Sequence, residues 1–355
     1  MQRHTYTLLD GLRGVAAVAV VMRHLPDLFP PWLMPSSHSA VDLFFVLSGF
    51  VIAHAYDARL AAGMSSQRFM VLRAIRLYPM FLLAAAVGAP LAIAQGFLLD
   101  QPIWYLWAAI PLSLLMIPSP VGPAPFPSVG AAWSLMFEMI ANAIFAVAWR
   151  WLSIPVLAAI SLIFGSGLVL TSFGFGTTDG GFTWATFAVG LCRVMFAFPL
   201  GVLLYRIHAK GLRLWTPPAP LLLAALLLSF QPASLVWQLT ATLLVLPLIV
   251  FTAAQIEMTG RAARAALFFG LISYPIYLLH PLIIRATKYI VRNYAAETSW
   301  DIRILAGIVI VIGLIAASWL IERAYERPFR KWLARKLLSP RKAGIEPRSE
   351  GVTVP

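Results

Sequence analysis

The stretch ILAGIVIVIGLIAASWLIERAYERPFRKW (residues 304–332) divides into an apolar run and a basic run. Its first eighteen residues carry no charge, and a helix of that length is typical of a membrane-spanning segment. Most of the charged residues that follow are arginine or lysine, which is the pattern of a cytoplasmic flank under the positive-inside rule. The stretch therefore predicts a transmembrane helix with a cytoplasmic basic segment after it.

The whole 355-residue chain has a similar composition. Apolar and aromatic residues make up 60% and charged residues 12%, against roughly half and a quarter in a soluble domain, which excludes a water-soluble enzyme. The net charge of +13 is a feature of nucleic-acid binders, but the basic residues lie at the edges of apolar runs, as at Arg68, Arg206 and Arg261. We therefore expect a lipid bilayer, and no nucleic acid, as a partner.

Eleven apolar segments follow one another along the chain. Segment 103–118 is short and contains Pro111, so we interpret it as re-entrant or interfacial. Charge placement agrees, because the loop before Arg73 and the turn at Arg150 both have a cytoplasmic pattern, and three crossings cannot join two points on one side. The segments are 8–25, 40–57, 76–96, 103–118, 131–150, 153–173, 183–206, 218–232, 234–254, 266–290 and 302–322. The sequence thus predicts an all-α, polytopic transmembrane bundle of about ten spans, with both termini cytoplasmic.

The chain is interpreted as one membrane domain, residues 1–335, followed by a basic, disordered cytoplasmic tail, residues 336–355. The N-terminal segment has no small-residue cleavage site after its apolar stretch, so it is predicted to be a retained span. The single cysteine, Cys192, cannot form an internal disulfide, and no spacing of cysteine and histidine suggests a metal site.

Ionisable residues inside apolar runs need a reason, because burying them is costly. Arg13 and His24 are eleven residues apart, and eleven steps of about 100° place both on one stripe of a helix, some 16 Å apart along its axis. Arginine at a membrane rim is a good anchor for phosphates, and histidine exchanges a proton near neutral pH. The alternative is an interfacial arginine and a histidine bonded to a backbone carbonyl.

A second basic pair, Arg73 and Arg76, lies at i and i+3 where the third span begins. Two guanidinium groups on one helix face can clamp a phosphate group, although positive-inside anchoring explains the same pair without chemistry. Arg23 adjoins His24, and its charge could lower the pKa of the imidazole. Alternatively, the Arg23 side chain points away, since adjacent helix positions diverge by about 100°.

Acidic residues are sparse in the apolar runs. Asp42 opens the second span, where capping of the helix is an equally good explanation. Glu138 lies about two turns into its segment, too deep for a surface carboxylate, with Asn142 one turn further on the same face. Ser48 permits close helix packing, and His280 is either functional or bonded to a nearby loop. The sequence contains no nucleophile elbow, P-loop or zinc-protease motif, so those classes of enzyme lack support.

Six blocks of the sequence resemble the integral-membrane acyltransferase-3 family in order and spacing. They are LDGLRGVAAVAVVMRH, VDLFFVLSGFVI, RAIRLYP, WSLMFEM, SYPIYLLHPL and ERPFRKW, and the resemblance runs from about Leu8 to Trp332. The most specific element is an arginine followed after ten residues by a histidine, combined with the Arg-x-x-Arg that heads the third span. The resemblance implies bacterial enzymes of the inner membrane that O-acylate cell-surface and exported glycans.

By position, the resemblance implies a role for each matching residue. His24 is expected to be the general base on the acceptor hydroxyl, Glu138 a catalytic acidic residue of open role, and Arg13, Arg73 and Arg76 the ligands of the donor's phosphates or pantetheine arm. The donor is expected to be acyl-CoA, usually acetyl-CoA, as a co-substrate, with no tightly bound cofactor or metal. Further candidates for the site are Asp42, Ser48, Trp133, Ser134, Asn142, Tyr274 and His280.

The acceptor implied by the resemblance is a hydroxyl of a surface glycan, an exported glycan or a lipid-linked sugar. Some members of the family carry a fused soluble esterase-like domain, so a second transfer step here is expected to need a separate periplasmic partner. The main alternative is a proton-coupled transporter of a small anion, in which the same His, Glu and Arg residues form a relay. A flippase or assembly partner without chemistry is a further alternative.

Overall fold

A computed structural model describes residues 6–294 and 298–338, and for 288–294 it describes the backbone alone. All regular structure in these ranges is helical. The helices are α1 (Thr7–Arg23), α2 (Ala40–Ala61), α3 (Ser66–Leu98), α4 (Leu106–Leu114), α5 (Ala132–Ala148), α6 (Ile154–Phe175), α7 (Phe187–Ala209), α8 (Ala219–Ser229), α9 (Leu235–Thr240), α10 (Leu246–Ala253), α11 (Gly260–Tyr294), α12 (Trp300–Ile321) and α13 (Arg327–Leu338). A π-helical turn joins α9 to α10, and a second one, Glu322–Glu326, joins α12 to α13. The prediction of an all-α fold is confirmed for the described residues.

Seven of the described helices are long and apolar enough to cross a membrane. α5 and α8 are apolar but shorter than this criterion requires, and α1 has 17 residues. The predicted number of about ten spans is therefore not confirmed. Segment 103–118 contains only the nine-residue α4, about 14 Å of helix, which is too short for a hydrocarbon core of about 30 Å.

Helix boundaries follow local sequence signals. α3 begins after Ser65, whose side chain accepts a hydrogen bond from the Arg68 amide at 3.2 Å, the standard N-cap interaction. α6 has proline in its first turn and ends at Gly176, which adopts a left-handed φ of +71°. α13 ends at Leu338, and residues 339–355 lie outside the described residues, so the disordered tail stays a prediction.

Glycines allow the central helices to pack closely. α2 lies against α7, and a Cβ on Gly49 would overlap the Phe198 carbonyl oxygen, whereas a Cβ on Gly201 would overlap that of Val46. α1 runs parallel to α11, and a Cβ on Gly14 would overlap the backbone of Phe269. We call the end of the bundle where α1 begins the near end and the end where α1 finishes the far end.

Candidate active site

A cavity of about 200 Å³ lies between α1, α2, α3, α5 and α11. Its charged lining residues are Arg13, Arg73, Arg76 and Glu138. Its polar and aromatic lining includes Ser48, Ser134, Ser273, Tyr274 and Tyr277, and the remainder is apolar. Residues that are distant in the sequence thus meet in one cavity inside the bundle, and the predicted donor-binding arginines are all among them.

Glu138 is the central carboxylate of the cavity. Its Oε1 accepts a hydrogen bond from Arg73 Nη2 at 2.8 Å and another from Ser48 Oγ at 2.6 Å. The side chains of Arg73 and Glu138 are only 13% and 20% exposed, so the ion pair is largely removed from solvent. Ser48 therefore has a polar partner and does more than permit packing, while Asn142 donates to the backbone carbonyl of Glu138 at 2.7 Å.

Arg76 faces a different carboxylate from Arg73. Its Nη1 donates to Glu326 Oε1 at 2.7 Å, and its guanidinium lies 5.4 Å from the centre of the Tyr274 ring. Glu326 also pairs with Arg330 at 3.4 Å, and the Tyr274 hydroxyl donates to the Leu77 carbonyl. The two arginines thus both line the cavity, but each is held by its own carboxylate.

Arg13 is bound from two helices. Its Nη2 donates to Asp10 at 2.6 Å, one turn earlier on α1, and its Nε donates to Ser273 Oγ of α11 at 3.0 Å. A weaker bond from Nη2 reaches the Gly270 carbonyl at 3.3 Å. These contacts aim the guanidinium toward the cavity, so each of the three lining arginines has a carboxylate partner.

Tyr277 lies at the far end of the cavity. Its hydroxyl is 2.7 Å from Ser134 Oγ, and Ser134 also donates to the Ala131 carbonyl at 3.0 Å. The Tyr277 ring is 5.7 Å from the His280 ring, whose Nδ1–H donates to the Tyr277 carbonyl at 2.7 Å. His280 is buried, and its ring meets His24 edge to face with centroids 5.1 Å apart.

His24 lies directly after the last residue of α1, beyond Tyr277 and outside the residues that line the cavity in the described part of the chain. Its side chain is exposed, and its Nδ1–H donates to the Val20 carbonyl at 2.8 Å. Because a carbonyl oxygen can only accept, this bond fixes the proton of the neutral ring on Nδ1 and leaves the Nε2 lone pair available. His24 can therefore donate a hydrogen bond to the backbone through Nδ1–H and still accept a proton at Nε2.

Asp42 is not a helix cap but half of a buried ion pair. It accepts two hydrogen bonds at 2.9 Å from Arg193 of α7, and both side chains are 1% exposed. Arg193 also donates to the backbone carbonyls of Gly180 and His38, and its guanidinium lies 5.4 Å from the Trp133 ring. This pair lies beside the cavity wall and joins α2, α7 and the 177–186 loop.

Arg23 points away from His24. Its Nη2 donates to Asp179 at 2.9 Å and its Nε to the Pro35 carbonyl at 2.9 Å. Burial raises the pKa of the Asp179 carboxyl, but His38, Arg23 and Arg193 around it lower the pKa further, so that the net shift is downward. The carboxylate thus compensates the charge next to His24.

Sequence reasoning did not single out Arg193, Asp179, Tyr277 or Glu326. Arg193 carries a usable signal, because an arginine inside the apolar run 183–206 calls for a buried partner. The others carry little signal, since Glu326 meets Arg76 only through a contact between residues 250 positions apart. No group of three potential metal ligands occurs among the residues that the structure describes.

Comparison with known proteins decides the family. The family model described as "Acyltransferase domain", of the acyltransferase-3 type, matches residues 6–323. The chain belongs to this family. As an acyltransferase-3 protein with several apolar helices it is a membrane protein and an acyltransferase, and the transporter alternative is not favoured.

This acyltransferase is similar to a bacterial protein and to a viral protein. A protein of Rhizobium radiobacter, "Protein 2 in picA locus", is 41% identical over 162 residues, covering 41% of this chain and 82% of that protein. A protein of Acidianus two-tailed virus, "Putative acetyltransferase ORF330", is 24% identical over 299 residues, covering 80% of this chain and 84% of that protein. No solved structure matches this acyltransferase.

Proposed function

We propose that the protein is a membrane O-acyltransferase that moves an acyl group, typically acetyl, from acyl-CoA to a hydroxyl of a cell-surface or exported glycan. The observation that carries the proposal is the arrangement around the cavity. Three arginines line one region of it, and beyond Tyr277 lies a histidine whose Nε2 lone pair is available. Its arginine-lined region and its apolar remainder suit a ligand that has a polar arm and a neutral reactive thioester.

The donor would enter at the near end, which the sequence places in the cytoplasm. Arg13, Arg73 and Arg76 would bind polar groups of the donor, exchanging part of their contacts with Asp10, Glu138 and Glu326. Glu138 would keep the Arg73 guanidinium oriented and would not itself touch the reacting atoms. The apolar remainder of the cavity would accept the pantetheine arm and the acyl group.

The transfer needs a base and a donor for the oxyanion. His24 Nε2 would remove the proton of the acceptor hydroxyl as its oxygen attacks the thioester carbonyl carbon. The Tyr277 hydroxyl would exchange its Ser134 contact for the developing oxyanion. When the C–S bond breaks, the thiolate leaves and takes up the proton held by His24, so the histidine returns to its neutral form. Tyr277 lines the cavity and its ring lies beside His280, which contacts His24, so a movement of the Tyr277 ring would let the two substrates meet.

The acceptor would approach His24 from the far end. His24 is exposed there, and the 177–186 loop next to it carries no lysine or arginine. These features support an acceptor on the periplasmic side of a bacterial inner membrane, where an exported glycan or lipid-linked sugar would be acylated by a protein with both termini in the cytoplasm. A separate periplasmic partner would carry out any second transfer.

The proposal is tested with the purified protein in lipid nanodiscs, radiolabelled acetyl-CoA and a glycan extract of the producing strain. We expect label in the glycan fraction and a loss of about 100-fold or more in kcat for His24→Asn, because general-base catalysis contributes about 10²–10⁴-fold. His208→Asn, which changes a histidine on α7 outside the cavity, is the matched control. Normal transfer by a folded His24→Asn variant would remove His24 as the base, and label that never leaves acetyl-CoA would refute the acyltransfer itself.

A further inference from the structure

Four basic residues recur at every fourth position along the last helix. Arg323, Arg327, Lys331 and Arg335 are all exposed, and together with Pro328 they line a groove of about 480 Å³. Residues four apart lie on one face of a helix, so these side chains form one continuous basic stripe. Among the residues that the structure describes, no acidic side chain contributes to the lining of this groove.

The acidic residues of the same segment face the other way. Glu322 and Glu326 are buried, and they pair with Arg330 and with Arg76 of the cavity. In the described part of the chain, Arg327 and Lys331 have no salt bridge, although Arg323 lies over the Trp319 ring. Like charges at i and i+4 destabilise a helix, so an anion in the groove would be favourable.

The arginines of the cavity are more fully compensated than Arg327 and Lys331 of the stripe. Arg13, Arg73 and Arg76 each pair with a carboxylate, namely Asp10, Glu138 and Glu326. Each such pair is close to neutral as a unit, and a phosphate group would have to compete with the carboxylate. A ligand with several phosphates therefore matches the stripe better than it matches the cavity.

The length of the helix distinguishes a soluble anion from a lipid headgroup. Trp300–Leu338 is one helical segment of 39 residues, about 58 Å long at 1.5 Å per residue, whereas a bilayer with its headgroups is about 40–45 Å thick. The uncharged stretch ends at Ile321, so the stripe occupies the end that projects from the membrane. Lys331 and Arg335 thus lie furthest from the headgroup layer.

We propose that this basic stripe binds the phosphates at the nucleotide end of the CoA donor. The inference rests on the proposed function and divides the donor between two sites, with the phosphates on α13 and the pantetheine arm and thioester in the cavity. The Arg76–Glu326 pair joins the two sites directly, because Arg76 lines the cavity and Glu326 immediately precedes Arg327. The basic stripe would also attract the phosphates of the donor from solution, an effect that salt screens.

The test compares Arg327→Gln/Lys331→Gln with Arg261→Gln/Arg264→Gln, a double variant of equal charge change on exposed positions of α11. Full-length protein is placed in nanodiscs of zwitterionic lipid, and binding of radiolabelled CoA and of radiolabelled pantetheine is measured by equilibrium dialysis. We expect the stripe variant to bind CoA about tenfold more weakly, with unchanged pantetheine binding, since charge-assisted bonds to phosphate are lost. The α11 variant should bind both ligands as the unmodified protein does.

The outcomes separate this inference from the proposed function. Stripe-dependent CoA binding without acyl transfer to any glycan would overturn the proposed function and leave the stripe as a CoA site. Normal transfer combined with unchanged CoA affinity in the stripe variant would overturn the inference alone. A stripe variant that differs from the unmodified protein only in nanodiscs with anionic lipid would identify a lipid headgroup as the occupant and would also overturn it.

Discussion

The imidazole rings of His24 and His280 meet edge to face, with their centroids 5.1 Å apart, although His24 directly follows α1 and His280 belongs to α11. His280 is buried and its Nδ1–H is committed to the Tyr277 carbonyl, whereas His24 is exposed. The buried ring therefore forms the wall against which the exposed ring is oriented. Under the proposed function, this makes His280 a positioning residue.

Replacing His280 tests that role. His280→Ala leaves a void under His24, so we expect kcat to fall about tenfold with the KM for the donor unchanged, since one disordered catalytic contact costs about 1.4 kcal/mol. His280→Phe preserves an aromatic wall and should retain most of the activity. If the phenylalanine variant were as inactive as the alanine variant, His280 would be exchanging protons itself.

Glu138→Gln should destabilise the protein and weaken donor binding. The change leaves the Arg73 guanidinium, 13% exposed, without its carboxylate, at a cost of about 1.5–3 kcal/mol for a charged hydrogen bond. The measurement is the thermal unfolding midpoint in detergent, together with the KM for the donor. The double variant Glu138→Gln/Arg73→Gln should have a higher unfolding midpoint than Glu138→Gln alone. If its loss in midpoint equalled the sum of the losses of the two single variants, the ion pair would contribute nothing to stability.

Asp42→Asn should be the most destabilising of the substitutions at the ion pairs. Asp42 and Arg193 are both 1% exposed, and removing one partner of such a pair costs about 3–5 kcal/mol because the other charge stays buried. We expect a large fall in the thermal unfolding midpoint. In hydrogen exchange, the backbone amides of α2 and α7 should be the first to lose protection. An unchanged midpoint would mean that the pair is reached by water.

The lowered pKa of Asp179 predicts that the stability of the folded protein depends on pH. Its pKa is lowered in the folded protein, since His38 and Arg23 outweigh the effect of burial, so it stabilises the fold above its unfolded pKa of about 3.9. This contribution is lost as the pH falls through the lower folded value. The unfolding midpoint of Asp179→Asn should therefore lie below that of the unmodified protein at pH 7, with the gap closing toward pH 3. A constant difference in midpoint between the two proteins from pH 7 to pH 3 would contradict the lowered pKa of Asp179.

Gly201→Ala tests the contact between α2 and α7. The added methyl group would overlap the Val46 carbonyl oxygen, which belongs to backbone and cannot rotate away, so we expect a loss of about 1–3 kcal/mol from overpacking. Gly313→Ala on α12 is the matched control, because a Cβ there meets nothing within 4 Å. The control should be neutral or stabilising by up to about 1 kcal/mol. Equal midpoints for the two variants would show that the helices separate easily.

The sequence predicts the membrane class, an all-helical fold and the charged residues that line the cavity, and physical reasons explain which parts it misses. Arg13, Arg73, Arg76 and Glu138 stand out because charges inside apolar runs are rare, and all of them line the cavity. Their partners cannot be predicted, because the Arg76–Glu326 contact depends on how distant helices pack. The number of spans is equally difficult, since α8 is too short to be counted by length and composition alone.

Helical geometry places Arg13 and His24 on one stripe, and the structure agrees that both side chains face α11, through Ser273 and His280. Helical geometry does not predict that Tyr277 lies near this stripe, because Tyr277 belongs to α11, more than 250 positions later in the chain. The roles assigned to these residues stay predictions until the variants are measured.

The position of Tyr277 also bears on the electrical insulation of the membrane. Its ring lines the arginine-lined cavity and lies beside His280, which contacts the exposed imidazole of His24. A protein that joins reagents from two aqueous compartments must do so without becoming a leak for protons or ions. One aromatic side chain that gives way only to an incoming acyl group would let such a protein remain sealed while it works.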